Sequence, residues 1–122
     1  MRIIFIKSIS FVLLVIFSMA LGNAAQLQMT ESVKIEYLIQ SVEKLDGAQF
    51  YRNGTWYGSK EAGSHLRLKL KNAGGRIKTA RQFIDNIATK SSMSGLPYKI
   101  KLKVGKIVES KVFFYQQLNR IE

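Results

Sequence analysis

The stretch FYRNGTWYGSKEAGSHLRLKLK, Phe50 to Lys71, decides how this chain is read. Phe50-Tyr51-Arg52 and Thr55-Trp56-Tyr57 are aromatic, strand-forming runs that bracket Asn53-Gly54. That pair is the strongest short hairpin signal, because both turn positions need positive φ. The second half is ambiguous, since His65-Leu66-Arg67-Leu68-Lys69-Leu70-Lys71 alternates like a strand while Ala62, Leu66, Leu70 and Ala73 recur at helical spacing. Ser59 ahead of the run as a cap, Gly74-Gly75 behind it and basic residues toward its C-terminal end decide for a helix. The stretch therefore predicts a hairpin feeding a helix.

Outward from it, Ile35, Leu38, Ile39, Val42 and Leu45 form an amphipathic stripe, with Thr30 or Ser32 as its cap and Asp46-Gly47 as its stop. Downstream, Thr79 with Gln82 three residues on reads as a capping box ahead of the apolar stripe Ala80, Phe83, Ile84, Ile87 and Ala88. Ser91 to Pro97 is a loop by composition. Tyr98, Ile100, Leu102 and Val104 then alternate with Lys99, Lys101 and Lys103 before Gly105 turns the chain into Ile107-Val108, a second hairpin. Its lysines suit an edge strand, where they deter edge-to-edge pairing. Ser110 caps a closing helix with Phe114, Leu118 and Ile121 on one side. The expected fold is α+β, about four helices with two β-hairpins in one compact domain.

Residues 1–24 are expected to be a signal peptide and 25–122 the domain. Arg2 and Lys7 precede the apolar run Ile9 to Leu21, which ends in the small residues of GNAA. The alternative is an uncleaved leader anchoring the protein in the inner membrane. Of 19 basic residues the leader holds Arg2 and Lys7, which leaves 17 against 8 acidic ones, a formal +9. That bias suits an anionic small molecule, a lipid head group or another envelope component, and equally serves solubility. Nucleic-acid binding would need exposed aromatics among the cations, whereas Tyr51, Trp56 and Tyr57 read as hairpin pairs. There is no cysteine, so disulfides and Cys-based zinc or haem sites are excluded. With a single histidine, neither a metal site nor a cofactor is expected.

Catalytic vocabulary is thin. Gly54 to Glu61 departs from a phosphate loop in glycine spacing and in the order Ser59-Lys60-Glu61. His65, Ser92 and Tyr98 are the candidates for general acid–base and nucleophilic roles, provided folding brings them together. For anion binding the candidates are Arg76, Lys78, Thr79 and Arg81, where cations surround a helix start, together with His65 and Lys69.

Four spacings in order carry a resemblance. They are Phe50-x-Arg52-Asn53-Gly54-x-x-Tyr57, Ala62-x-x-His65-Leu66-x-x-Lys69, Ile77-x-Thr79-Ala80-x-x-Phe83-Ile84, and Ser91-Ser92-x-Ser94-Gly95-x-Pro97-Tyr98. The set resembles the YfeK-like family, small exported bacterial proteins classed as a domain of unknown function. The resemblance implies a periplasmic home and no settled activity, and its second motif supports the helical reading of HLRLKLK. Members often carry a cysteine just before the first motif, where this chain has Ala48. The matched polar residues Arg52, Asn53, His65, Lys69, Thr79, Ser91, Ser92, Ser94 and Tyr98 exceed what turns and caps require, so several are expected to share a pocket.

The functional expectation is a periplasmic binding or envelope-interaction module for an anionic partner. The alternative is a small hydrolase or transferase using His65 and the Ser91 to Ser94 loop. Export carries its own test: the mature protein should begin at Ala25 or Gln26. Mass spectrometry of periplasmic extract checks this, and a chain still carrying Met1 overturns it.

Overall fold

Thr30 starts the first helix by accepting the Val33 amide on its hydroxyl at 3.3 Å, so Thr30 and not Ser32 is the cap. The computed structural model describes residues 28–122, and the leader expectation lies outside them. Helix α1, Glu31–Glu43, buries Ile35, Leu38, Ile39 and Val42, four of the five stripe positions. Strands β1, Gln49–Arg52, and β2, Thr55–Tyr57, follow as the expected hairpin. At its turn Asn53 has φ 51° and Gly54 φ 85°, the left-handed pair that Asn-Gly tolerates at least cost.

Helix α2, Ser59–Ala73, resolves the ambiguity of HLRLKLK. Leu66 is buried, Leu70 packs against the core, and Leu68 is left 56% exposed, because only the i, i+4 positions face inward on a helix. The cap differs from expectation. Gly58 holds the cap position without a side-chain bond, and Ser59 is the first helical residue, its hydroxyl donating to the Leu45 carbonyl at 2.7 Å. Arg67 forks across to Glu36 and Glu43 of α1, which lowers the Glu36 pKa. The two helices approach closely at Gly63, where a Cβ would stand 2.3 Å from Glu43 Cγ. Past Gly74 the chain makes a 3-10 turn, Gly74–Arg76.

Helix α3, Ala80–Phe83, carries the predicted capping box and continues as one π-helical turn, Ile84–Ala88. All five predicted stripe residues are buried. Strand β3, Lys99–Lys101, pairs with β4, Ile107–Glu109, as the second hairpin. Helix α4, Ser110–Asn119, closes the fold, with Glu109 at the cap position and Ser110 already inside the helix and buried.

The two hairpins are not separate. β1 pairs antiparallel with β3, giving one four-stranded sheet ordered β2-β1-β3-β4. Lys99 and Lys101 therefore lie on an inner strand and not on the expected edge, with exposed side chains on the outer face. Phe50 and Ile100, paired across β1 and β3, point the other way into a core shared with Phe83, Phe114 and Leu38. Phe83 and Phe114 meet edge to face at 6.0 Å. The fold is α+β, four helices against one face of an antiparallel sheet. Among the described residues no helix is long and apolar enough to cross a membrane.

The turn generates a direct test. A Cβ on Gly54 meets nothing within 4 Å, so Gly54→Val adds no clash and costs only backbone strain. The expected loss is about 1–3 kcal/mol in a chemical denaturation series. An unchanged midpoint would mean the turn is not held at positive φ.

Candidate functional site

Register places the first two residues of the site. Phe50 stands opposite Ile100, so one inward-facing pair further along the same two strands Arg52 falls opposite Tyr98. Both reach past the edge of the core toward α2. There His65 and Lys69, four residues apart and on one helix face, complete the group.

Contacts join the four side chains into a chain. A guanidinium nitrogen of Arg52 bonds His65 Nδ1, His65 Nε2 lies 3.2 Å from the Tyr98 hydroxyl, and Lys69 Nζ donates to that hydroxyl at 3.0 Å. Arginine can only donate, so Nδ1 is the acceptor and the ring proton sits on Nε2. Nε2–H and the ammonium then both donate onto the Tyr98 oxygen. The phenol keeps its own proton, with no acceptor among the described residues.

Arg52 also lies over the Tyr57 ring, 4.6 Å from its centroid. Lys69 is fixed by two further acceptors, the carbonyls of Ile87 at 2.8 Å and Lys90 at 3.1 Å. Its three protons are thus all used, and burial, with Arg52 nearby, lowers its pKa. Burial raises the Tyr98 phenol. His65 is held down to about 4, first by burial and then by the charges of Arg52 and Lys69. At neutral pH the group is two cations, a neutral imidazole and a neutral phenol.

These residues line a cleft of about 750 Å³ between α2, the end of the π turn and the Ser91–Pro97 loop. Arg52, Lys69 and Arg76 are on its walls, and no Asp or Glu is. Among the described residues neither Arg52 nor Lys69 has a carboxylate partner, whereas Arg67 and Arg81 are both ion-paired.

Of the residues singled out for anion binding, His65, Lys69 and Arg76 share this cleft. Lys78, Thr79 and Arg81 do not line it. The Gln82 carboxamide oxygen accepts the Lys78 and Thr79 amides at 2.7 and 3.3 Å, and Arg81 is committed to Glu122 at 2.9 Å. At that helix start the capping pair thus occupies the amides of Lys78, Thr79 and Gln82.

Ser92 lies on the same cleft wall as His65 and Tyr98, without a hydrogen bond to either. Ser91 and Ser94 have structural partners. The Ser91 hydroxyl accepts the Met93 and Ser94 amides, and Ser94 donates to Asn53 Oδ1 at 2.6 Å, tying the loop to the hairpin turn. Among the described residues no group of three His, Cys, Asp or Glu side chains could hold a metal ion.

Sequence reasoning named Arg52 among the matched residues but did not make it a site centre. The signal was its position two residues from Phe50, which puts both on one strand face.

The depressed His65 pKa sets the sign of a pH dependence. Above pH 6.5 the ring is neutral in both folded and unfolded chains, and its contribution is complete. As the pH falls toward about 4 the unfolded chain takes up a proton that the folded one refuses, so stability drops across that window. Allowing for screening at a half-exposed ring, the loss is about 1–2 kcal/mol. His65→Asn should flatten this part of the profile, as read by denaturation midpoints at pH 4 to 7. Parallel wild-type and variant profiles would show that His65 is not held neutral.

Comparison with known proteins agrees with the resemblance drawn from the motifs. A family of unknown function (DUF5329) matches residues 29–122. The uncharacterized protein YfeK of Salmonella typhimurium (strain LT2) is 44% identical over 68 residues, 56% of this chain and 57% of the relative. The chain thus spans less than two thirds of that relative's length. No solved structure matches. With the family pattern running from Met29 to the last residue, over all of the helices and strands that build the cleft, the chain belongs to the DUF5329 family.

Proposed function

We propose that the protein is an exported binding module that holds an anionic group in the cleft at Arg52, His65, Lys69 and Tyr98. One observation carries the reading: three cations and no carboxylate line one concave site, whereas Arg67 and Arg81 outside it are ion-paired. An unpaired guanidinium beside an unpartnered phenol O–H offers charge-assisted donors at fixed positions. The low-dielectric walls of a concave site focus the field of such cations. Lys69 acts as a positioning residue, since its protons are spent within the fold and its charge alone reaches the ligand.

Periplasmic work rests on the leader pattern and the basic balance of the mature chain. The anionic partner is a small molecule or the head group of an envelope component. Against the hydrolase or transferase alternative stands the histidine tautomer. With Nδ1 accepting from Arg52 and Nε2–H donating to Tyr98, His65 has no free basic nitrogen to offer Ser92.

Calorimetric titration of inorganic phosphate and of acetate at low ionic strength tests the reading. Wild type should bind, added salt should weaken binding, and Arg52→Gln should lose about ten- to a hundredfold, the worth of a charge-assisted bond. Arg81→Gln, away from the cleft, should leave binding unchanged. Equal affinities for wild type and Arg52→Gln would remove the cleft as the site. A loss confined to Arg81→Gln would move the site to the start of α3.

A further inference from the structure

We infer that the ligand is an amphiphile, one anionic group bearing a short apolar tail or a single ring, with its head against Arg52 and its tail in a second cavity behind it. The inference rests on the anion reading above and adds the chemistry of the rest of the ligand.

The second cavity measures about 110 Å³ and is walled by Val42, Phe50, Ala62, Leu66, Ala88 and Phe114. That approaches the roughly 150 Å³ apolar cavity known to take up benzene. Arg52, Tyr57, His65 and Tyr98 line both spaces, so these side chains form the partition between the cationic cleft and a mainly apolar pocket, each open to solvent on one side. Net charge changes across that partition in the sense an amphiphile requires. The inner wall carries Lys99 beside Arg52 and a single carboxylate, Glu61, which offsets one of those charges. The outer cleft has no carboxylate. At the boundary the Arg52 guanidinium and the free Tyr98 O–H are the donors for the head. A tail of a few carbons or one ring laid on those aromatic and aliphatic walls removes apolar surface from water, while the head meets the cation.

The experiment uses protein purified after expression of the full-length chain. Formate, acetate, butyrate and hexanoate are titrated by calorimetry, with phenylacetate as the ring-bearing probe. Affinity should rise about threefold to fourfold per methylene and level off once the pocket is full, with phenylacetate in the range of the longer acids. Ala62→Leu, which fills the pocket, should abolish the rise and leave formate binding intact. Arg52→Gln should weaken every acid. A flat series that still depends on Arg52 would overturn the tail and leave the anion site standing. A rise that Ala62→Leu does not blunt would place the tail outside the pocket and overturn the inference. Tail-dependent binding indifferent to Arg52→Gln would remove the head contact, and binding of no probe would remove both readings. Should Ala62→Leu not fold, methyl NMR of wild type decides: hexanoate, and not formate, should shift Val42 and Leu66, and unmoved methyls would overturn the inference.

Discussion

The pairing of Phe50 with Ile100 is the constraint on which the remaining structure depends. It joins two hairpins separated by α2 and α3 into one sheet, and it sets which side chains face the helices. Side-chain direction in a strand has a period of two, so a slip of one residue would turn Phe50 or Ile100 out of the core. The same slip would carry Arg52 and Tyr98 to opposite faces. The core thus specifies the site, because the burial that selects the register also aligns the two residues at its open end.

A second constraint is the ammonium of Lys69. It draws together a helix, the end of the π turn and the residue that leads into β3, through Ile87, Lys90 and Tyr98. A half-buried ammonium is tolerable only when its protons are satisfied, and here all three are. The π turn is part of that arrangement. Thr89 bonds back to the Ile84 carbonyl at 2.7 Å, and the Ile87 carbonyl is turned to Lys69. The cleft wall is therefore fixed by hydrogen bonds that a regular α-helix would have kept for itself, in keeping with the frequency of π turns at functional sites.

Local chemistry was readable from the residues, and long-range pairing was not. Asn53-Gly54 could be read because a turn with two positive φ angles tolerates few dipeptides. The capping box at Thr79 could be read because its partners lie three residues apart. Nothing local determines that β1 joins β3, and so the sheet was read as two hairpins and Lys99 and Lys101 were placed on an edge. The π turn escaped for a related reason: Ala80, Phe83, Ile84, Ile87 and Ala88 fit an α-helical stripe equally well. Ser59 and Ser110 sit one position further inside their helices than a cap would, since a serine just inside a helix and one just outside it look alike in sequence.

The candidate site repeats this division on a smaller scale. His65 and Lys69 were legible as neighbours because four residues on a helix make one face. Arg52 is legible only as an unexplained polar residue and Tyr98 only as a site candidate without its partners, since their meeting is a tertiary fact. The helix start at Thr79 attracted the anion reading because its cations are adjacent in sequence, yet adjacency there comes with a local acceptor. Gln82 is close enough to satisfy the amides, and Glu122, distant in sequence, reaches Arg81. The cationic cleft is the converse case. Its charges come from a strand, a helix and a turn, and among the described residues no acidic side chain lines it, so this cluster of charge exists only once the fold has gathered it.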